Sequence, residues 1–266
     1  MTVTPDYITT NQTLWDQKTR WHVLSDFYKM DEFLAGASSL KEIELALLGD
    51  VRGKSILHLQ CHFGQDSLSL ARMGAKVTGV DLSAEAIKKA QELNEQLQLD
   101  ARFVCANVYD VPEVLQEQFD IVFTSYGTIV WLPDMDKWAA VITGALKSGG
   151  SFVFAETHPF ALMYDDDFTK VQYSYFNTGM IEETEQGTYA DRTAPLNLKS
   201  MTWNHSVAEV LNALLRSGLR LMEFHEFDYC PYPCFGNMTE VAPGKYQVVG
   251  MEGKPPMVYS LKALKA

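Results

Sequence analysis

Between Ser55 and His158, short apolar runs alternate with amphipathic stretches at regular spacing, and no other feature of the chain restricts its fold as strongly. Strands separated by helical stretches cannot pair as hairpins. Each crossover returns the chain to the same end of the sheet, which makes the strands it joins parallel, and such crossovers are right-handed. The pattern predicts strands over 56–60, 76–80, 102–106, 120–124 and 151–156, with helices over 65–73, 84–97 and 135–146. Gly74 closes the first helix and Ser83 caps the second. Residues 1–50 read as a helical segment, with Trp15, Trp21, Leu24, Phe27 and Tyr28 apolar among polar neighbours and Ser39-Leu-Lys-Glu42 matching a capping box.

From His158 to Asn204 the alternation stops. This stretch carries Asp165-Asp166-Asp167, Tyr173-Ser174-Tyr175-Phe176 and Glu182-Glu183-Thr184-Glu185, and it reads as an inserted β-rich cap, a meander of short strands over the sheet edge. Regular structure resumes with the capping box Ser206-Val-Ala-Glu209, a helix ended by Gly218, and strands over 219–227 and 257–263. No helix separates the last two strands, so they should pair antiparallel and close the sheet with a hairpin-like edge. The expected fold is α/β: a doubly wound, mostly parallel seven-stranded sheet with an antiparallel last strand, N-terminal helices and the inserted cap. Its expected segments are 1–50 (helical, covering the site), 51–157 (core), 158–204 (cap over substrate) and 205–266 (completion of the core).

Charge narrows the ligand class. The chain has 266 residues and a net charge of −12, from 34 acidic against 22 basic residues, and its longest basic run is Lys88-Lys89. A phosphate backbone would be repelled, so a small molecule is expected and a nucleic acid is not. There is no signal-peptide pattern in residues 1–10 and no apolar run of membrane-spanning length, which predicts a cytoplasmic protein without membrane attachment. Cys61, Cys105, Cys230 and Cys234 are too few and scattered for a disulfide scaffold. They also lack the paired spacing of a zinc ribbon, so free thiols and no metal are expected.

The chemistry concentrates at two strand ends. The run Ile56-Leu-His-Leu-Gln-Cys-His-Phe-Gly64-Gln-Asp-Ser67 is a strand, a turn and a helix start, where unpaired backbone N–H groups receive a nucleotide. Gly79-Val-Asp81-Leu-Ser83 follows at the tip of the second strand, placing an acid about 20 residues on to accept ribose hydroxyls. Over residues 54–156 these motifs resemble the class I S-adenosylmethionine (SAM)-dependent methyltransferases. In that family the first turn reads acidic-x-Gly-x-Gly-x-Gly, the second strand ends in an acid, the third in a polar pair near the adenine, and the fourth leads to substrate contacts.

The resemblance implies SAM as cofactor and assigns to it Gln60, Cys61, His62, Gly64, Asp81, Leu82, Asn107, Val108 and Ser125. It implies methyl transfer to a small-molecule acceptor. The departures are His58 for the usual acid and Gln60 and His62 for two glycines. A Leu-His-Leu-Gln-Cys-His-Phe-Gly turn also occurs in a subset of that family. Gln60 and His62 are expected to avoid strongly positive φ.

Each residue also has a plainer role: Asp81 as a helix-entry cap, Asn107 in its own turn, His58 as a hydrogen-bonded core histidine, Tyr126 and Trp131 as core aromatics. For a poorly ionised acceptor the candidate base is His158, whose alternative is a turn residue before Pro159. Tyr126 is the orienting candidate. A lid formed by the insertion, with Trp21, Phe27 and Tyr28 on the other side, would exclude water, and a homodimer surface is the competing use of the insertion. The alternatives to a methyltransferase are a non-catalytic SAM-binding sensor and an NAD-dependent Rossmann oxidoreductase, the latter wanting more glycine than this turn offers.

Overall fold

The structure, a computed structural model, describes residues 6–266. Residues 1–5, where the expected N-terminal segment begins, lie outside the described residues. Helices α1 (Tyr7–His22), α2 (Met30–Leu34) and α3 (Glu42–Leu48) precede the first strand. The alternating region follows as β1 (Ser55–Leu59), α4 (Gln65–Arg72), β2 (Lys76–Asp81), α5 (Ala84–Gln96), β3 (Arg102–Cys105), α6 (Val111–Val114), β4 (Phe119–Ser125), α7 (Met135–Ala145) and β5 (Leu146–Thr157). The remainder comprises β6 (Ile181–Gln186), β7 (Asn197–Thr202), α8 (Val207–Arg216), β8 (Leu219–Phe227), β9 (Met238–Ala242), β10 (Lys245–Val248) and β11 (Val258–Lys265).

Seven strands form the main sheet, in the order β3-β2-β1-β4-β5-β11-β8. β1, β2 and β3 run parallel to one another, as do β4, β5 and β8, and β11 runs antiparallel to both of its neighbours. The expected class therefore holds, and the antiparallel pair β8–β11 closes one side of the sheet. Within that pair the last strand is the inner one, between β5 and β8, pairing Tyr259 with Glu156 on one side and with Glu226 on the other. Its apolar residues explain the inner position: Val258, Tyr259, Leu261 and Ala263 are all buried, as a strand covered on both faces requires. Among the described residues no helix is long and apolar enough to cross a membrane.

The chain divides into two compact units. The first comprises the residues up to Leu40, Val51–Glu117 and Met180–Thr202; the second comprises Lys41–Asp50, Gln118–Gly179 and Trp203–Ala266. In the first, β1 and β2 pair in parallel with His58 opposite Gly79, and α4 and α5 bury Leu68, Ile87, Ala90 and Leu93 around Phe63 and Phe103. In the second, Trp138 of α7 meets Phe152 and Phe154 of β5 edge-on at 5.5 and 5.4 Å, and Tyr259 packs against Phe154 at 5.5 Å. Such edge contacts add about 0.5–1.5 kcal/mol each beyond area burial.

The insertion is not one body. Residues 158–179 belong to the second unit and are largely irregular, whereas Met180–Thr202 belongs to the first and forms the antiparallel pair β6–β7. The expected meander reduces to this hairpin, in which β6 alternates half-buried and exposed positions along its length. A second hairpin, β9–β10, lies in the stretch read from sequence as a loop. The N-terminal capping box also shifts. α3 starts at Glu42 with Lys41 at its N-cap, and Glu44 reaches back to accept the Lys41 N–H at 2.6 Å.

Candidate active site

In the first unit the chain leaves β1 at Leu59 and enters α4 at Gln65 through Gln60-Cys61-His62-Phe63-Gly64. Gln60 (φ 56°), His62 (φ 51°) and Gly64 (φ 81°) all take the left-handed conformation. This corrects the expectation that Gln60 and His62 avoid positive φ. Both sit in the one left-handed well that L residues can occupy, at a cost of about 1–2 kcal/mol each. Gly64 has no such latitude. A Cβ there would lie 2.8 Å from Phe103 Cε1 and 2.9 Å from Ala90 Cβ, because α4 starts directly against β3 and α5. The turn is tied down by Cys61 N–H donating to Val80 O at 2.9 Å and Gly64 N–H to Cys61 O at 3.0 Å.

His58, below the turn, shares a 2.8 Å hydrogen bond between Nδ1 and Ser67 Oγ, and burial holds its pKa down at about 4. It is a neutral core histidine. Cys61 is buried, and burial pushes its thiol well above the ordinary range, so it packs rather than reacts.

Asp81, at the tip of β2, grips the turn. Its Oδ2 accepts the His62 N–H at 2.8 Å and its Oδ1 accepts the Ser83 N–H at 2.8 Å. One carboxylate thus joins the turn to the start of α5. The helix itself is capped by Ser83, whose Oγ accepts the Ala86 N–H at 3.1 Å. Burial raises the Asp81 pKa to about 6 against the pull of those backbone donors, and the nearby Asp16 carboxylate pushes the same way. The half-buried carboxylate offers about four lone-pair sites, more than the His62, Ser83 and Leu82 N–H groups fill. Ribose hydroxyls are donors of the kind such a carboxylate wants, so these residues fit a nucleoside.

Leu82 carries its carbonyl to Gln12 Nε2 at 3.0 Å, and Cys105 Sγ lies 3.5 Å from the same oxygen. Asn107 Oδ1 accepts the Tyr109 N–H at 3.0 Å, so part of this side chain serves its own turn, and the adjacent Val108 is buried. Gln60, Cys61, His62, Gly64, Asp81 and Leu82 are thus brought together by the ends of β1 and β2.

Sequence reasoning missed what α1 contributes. Asp16 Oδ1 accepts from Ser83 Oγ at 2.6 Å and from the Glu85 N–H at 3.2 Å, docking α1 onto the start of α5. Lys18 is buried and forms an ion pair with Glu185 of the β6–β7 hairpin. Around His62 gather Trp15 (ring centroids 5.4 Å apart), His22 (5.1 Å) and Tyr28 (5.5 Å), and Tyr189 from the hairpin loop meets His22 at 4.8 Å. The Tyr28 and Tyr189 hydroxyls are hydrogen-bonded to each other. Burial lowers the His62 pKa to about 3, with Lys18 adding to the effect, so His62 is neutral. Of the three aromatics expected at the N-terminal side, Phe27 and Tyr28 belong to this cluster; Phe27 meets Tyr189 at 5.3 Å.

In the second unit, Ser125 ends β4 and Tyr126 follows at φ 43°. The Tyr126 hydroxyl donates to Glu44 Oε2 at 2.7 Å and its ring meets Tyr232 edge-on at 5.3 Å. Glu156, fully buried on β5, accepts from the N–H groups of Gly127, Thr128 (2.8 Å), Ile129 (3.2 Å) and Thr157 (2.7 Å) and from Thr128 Oγ1 (2.9 Å). It shapes the loop after β4, a role that a strand-ending acid did not disclose.

His158 has both ring nitrogens engaged. Nδ1 accepts the Phe160 N–H at 3.0 Å, which leaves Nε2 to carry the proton 3.0 Å from Glu226 Oε1. Burial lowers its pKa while Glu226 raises it. That geometry is the turn alternative for His158, since a proton-accepting role would break the Phe160 bond. Trp131 Nε1 donates to Gly127 O at 2.8 Å. The cysteines are thiols, with Cys234 Sγ 3.2 Å from Cys230 Sγ. Among the described residues no group of three or more His, Cys, Asp or Glu could hold a metal ion.

The chain is similar to known proteins over part of its length and in its fold. The family profile described as "Methyltransferase domain" matches residues 56–150. A ubiquinone biosynthesis O-methyltransferase of Coxiella burnetii is 33% identical over 116 residues, covering 44% of this chain and 48% of that protein. Phosphoethanolamine N-methyltransferase 1 of Triticum aestivum is 32% identical over 117 residues, 42% of this chain and 23% of that one. The chain therefore spans about half the length, or less, of these relatives. Among solved structures, an S-adenosylmethionine-dependent methyltransferase from Mesorhizobium loti superposes with a TM-score of 0.58 at 22% identity, over 87% of this chain and 100% of that one. A structure described as a DhpI-SAH complex gives 0.58 at 17% identity over 98% of both chains.

Proposed function

We propose that this chain, whose residues 56–150 match a methyltransferase domain, is a class I S-adenosylmethionine-dependent methyltransferase that binds SAM in its first unit and methylates a small-molecule acceptor. The observation that carries this reading is the Asp81 carboxylate, which holds the His62 and Ser83 N–H groups and retains capacity for ribose hydroxyls. Asp81 would hold the ribose, the turn over 60–64 the rest of the nucleoside and the amino acid portion, and Asn107 and Val108 the adenine. When bound, SAM supplies an electrophilic methyl group on a sulfonium.

The chain's own part is positioning and the exclusion of water. α1 docks beside the end of β2 through Asp16 and Gln12 and covers the turn through Trp15 and His22 against His62, and the β6–β7 hairpin closes on α1 through Glu185 and Tyr189, so within the first unit Met180–Thr202 is the lid. The net charge of −12 supports a small acceptor over a nucleic acid. The free thiols suit a reducing, cytoplasmic setting.

The test is to incubate the protein with methyl-13C SAM and a bacterial cell extract, then to follow the label. The expected result is label in the low-mass fraction, dependent on the protein. Label confined to protein or nucleic acid would overturn the acceptor class, and absence of label beside demonstrable SAM binding would make the chain a sensor.

A further inference from the structure

Cys230 and Cys234 stand in the loop after β8, in the run Cys230-Pro-Tyr-Pro-Cys234. Their sulfurs are 3.2 Å apart, with the Cys234 thiol donating to Cys230 Sγ. Two thiols this close need approach by only about 1 Å more to reach the length of a disulfide bond. The loop holds them there from both ends. Cys230 exchanges backbone hydrogen bonds with Tyr246 of β10, at 2.8 and 2.9 Å. Beyond Cys234, the Phe235 ring meets Phe168 at 4.9 Å and the Gly236 N–H donates to Asp166 O at 2.9 Å. Between the cysteines, Pro231 and Pro233 each fix a φ angle, which removes many of the conformations that would part the sulfurs. A buried cysteine ordinarily packs as a small hydrophobe, as Cys61 does. Packing asks for neither a second sulfur in contact nor a route to solvent. Here Cys230 is buried and Cys234 half-buried, so one sulfur is within reach of a dissolved reagent and the other lies behind it.

We propose that Cys230 and Cys234 form a dithiol–disulfide couple, a site of redox modification that a low-molecular-weight disulfide, RSSR, closes. The chemistry balances in two exchanges. The Cys234 sulfur attacks RSSR and forms a mixed disulfide, and the departing RS group takes the proton that Cys234 gives up. The Cys230 sulfur then attacks Cys234, forming the internal bond, and the second RS group leaves with the Cys230 proton. Two electrons pass to the reagent, and one RSSR becomes two RSH. Burial, and then the Cys230 thiol beside it, raise the Cys234 thiol well above its ordinary value, and the Asp166 carboxylate pushes the same way. The thiolate is therefore scarce near neutral pH and closure is slow. The dithiol also lacks the ionisation that stabilises the reduced form of strongly oxidising couples, so the closed bond is durable.

Closure acts on Tyr232, which lies between the two cysteines. Its ring meets Tyr126 edge-on at 5.3 Å, and Tyr126 follows directly on β4. A bond from Cys230 to Cys234 removes conformations open to the residues it encloses, so it holds Tyr232 in place against Tyr126.

The test takes the reduced full chain, incubates it with glutathione disulfide at pH 8, then denatures, alkylates and digests it with trypsin. Both cysteines fall in one peptide, 221–245, since no Lys or Arg lies between Arg220 and Lys245. The expected peptide is about 2 Da lighter than its dithiol form and takes no alkylating label, and after dithiothreitol it takes a label on each cysteine. In Cys230→Ser, glutathione should accumulate on Cys234, whereas in Cys234→Ser the buried Cys230 should stay unmodified. Amide exchange in the loop should be slower in oxidised than in reduced wild type. A wild-type peptide that still takes both labels, one that retains glutathione, or a bond to Cys61 or Cys105 instead would overturn the couple, and that readout needs no variant to fold. Glutathione on Cys230 in Cys234→Ser would overturn the order of attack, and loop exchange unchanged by oxidation would overturn the hold on Tyr232.

Discussion

Gln60, His62 and Gly64 share a left-handed backbone, yet only the last is glycine, and the space beside each Cα explains why. A side chain at φ 51–56° pays a modest local cost, whereas one at Gly64 also collides with Phe103 and Ala90. Gly64→Ala should therefore lower stability by about 2–4 kcal/mol, conformational strain and overpacking together. Urea denaturation checks this, and a loss under 1 kcal/mol would show that α5 and β3 give way. Asp81 carries the pH dependence. Its folded pKa of about 6 lies above the ordinary value near 3.9, so between roughly pH 4 and pH 6 the folded state holds more protons than the unfolded one. Its contribution to stability thus falls as pH rises through that window and is constant outside it. Ligand hydroxyls favour the ionised form, so affinity for S-adenosylhomocysteine (SAH) should drop about tenfold per pH unit below pH 6. In Asp81→Asn that dependence should vanish. Calorimetry at pH 5, 6 and 7 measures it, and a flat wild-type profile would contradict the role of Asp81.

At the scale of elements, β6–β7 ends in a strand whose outer edge needs a partner, and α1 supplies one residue that acts as a peptide. Asn11 Nδ2 donates to Met201 O at 2.7 Å, and Met201 N–H donates to Asn11 Oδ1 at 3.0 Å. Asn11→Ala would leave both backbone groups buried and unpaired, at an expected cost of about 2–4 kcal/mol. The hairpin should become the first segment to exchange its amide protons, and an exchange pattern like wild type would place the anchor elsewhere. The same helix shows how far the sequence was legible. Strand and helix periods placed β1 to β5 within a few residues, since those elements bury apolar side chains. On α1 the buried positions include Asn11, Leu14, Lys18 and His22, one helical face that is mostly polar, while Leu24, one of the apolar residues of the segment, is 79% exposed. Hydrophobic periodicity cannot register a face built from polar residues, so Asp16, Lys18 and His22 were missed although they cover the turn. Their one available signal was spacing: 11, 14–15, 18 and 22 recur at a helical interval. The position of β11 was hidden for another reason. An antiparallel strand after β8 pairs with it whether or not β5 lies on its far side, and only the continuous burial of Val258 to Leu261 marked the inner place.

For the whole molecule the central claim is that the end of β1, the end of β2 and α1 form a SAM site in which Asp81 bonds the ribose. Overall charge, absence of a basic stretch and the matched domain all accord with a small-molecule enzyme, but the claim stands or falls on cofactor choice. The NAD alternative would use the same turn and the same acid and would need a pyrophosphate approached closely by backbone, where Gln60 and His62 now place side chains. The deciding measurement is isothermal titration calorimetry of the folded protein at pH 7.5 with SAH and, separately, with NAD, on wild type and on Asp81→Ala. SAH should bind wild type at one site and lose about 1–3 kcal/mol of affinity in Asp81→Ala, the worth of hydrogen bonds to a charged group, while NAD should give no heat of binding. Binding of NAD with SAH inert, or SAH affinity unchanged in an Asp81→Ala protein of native circular dichroism, would contradict the account.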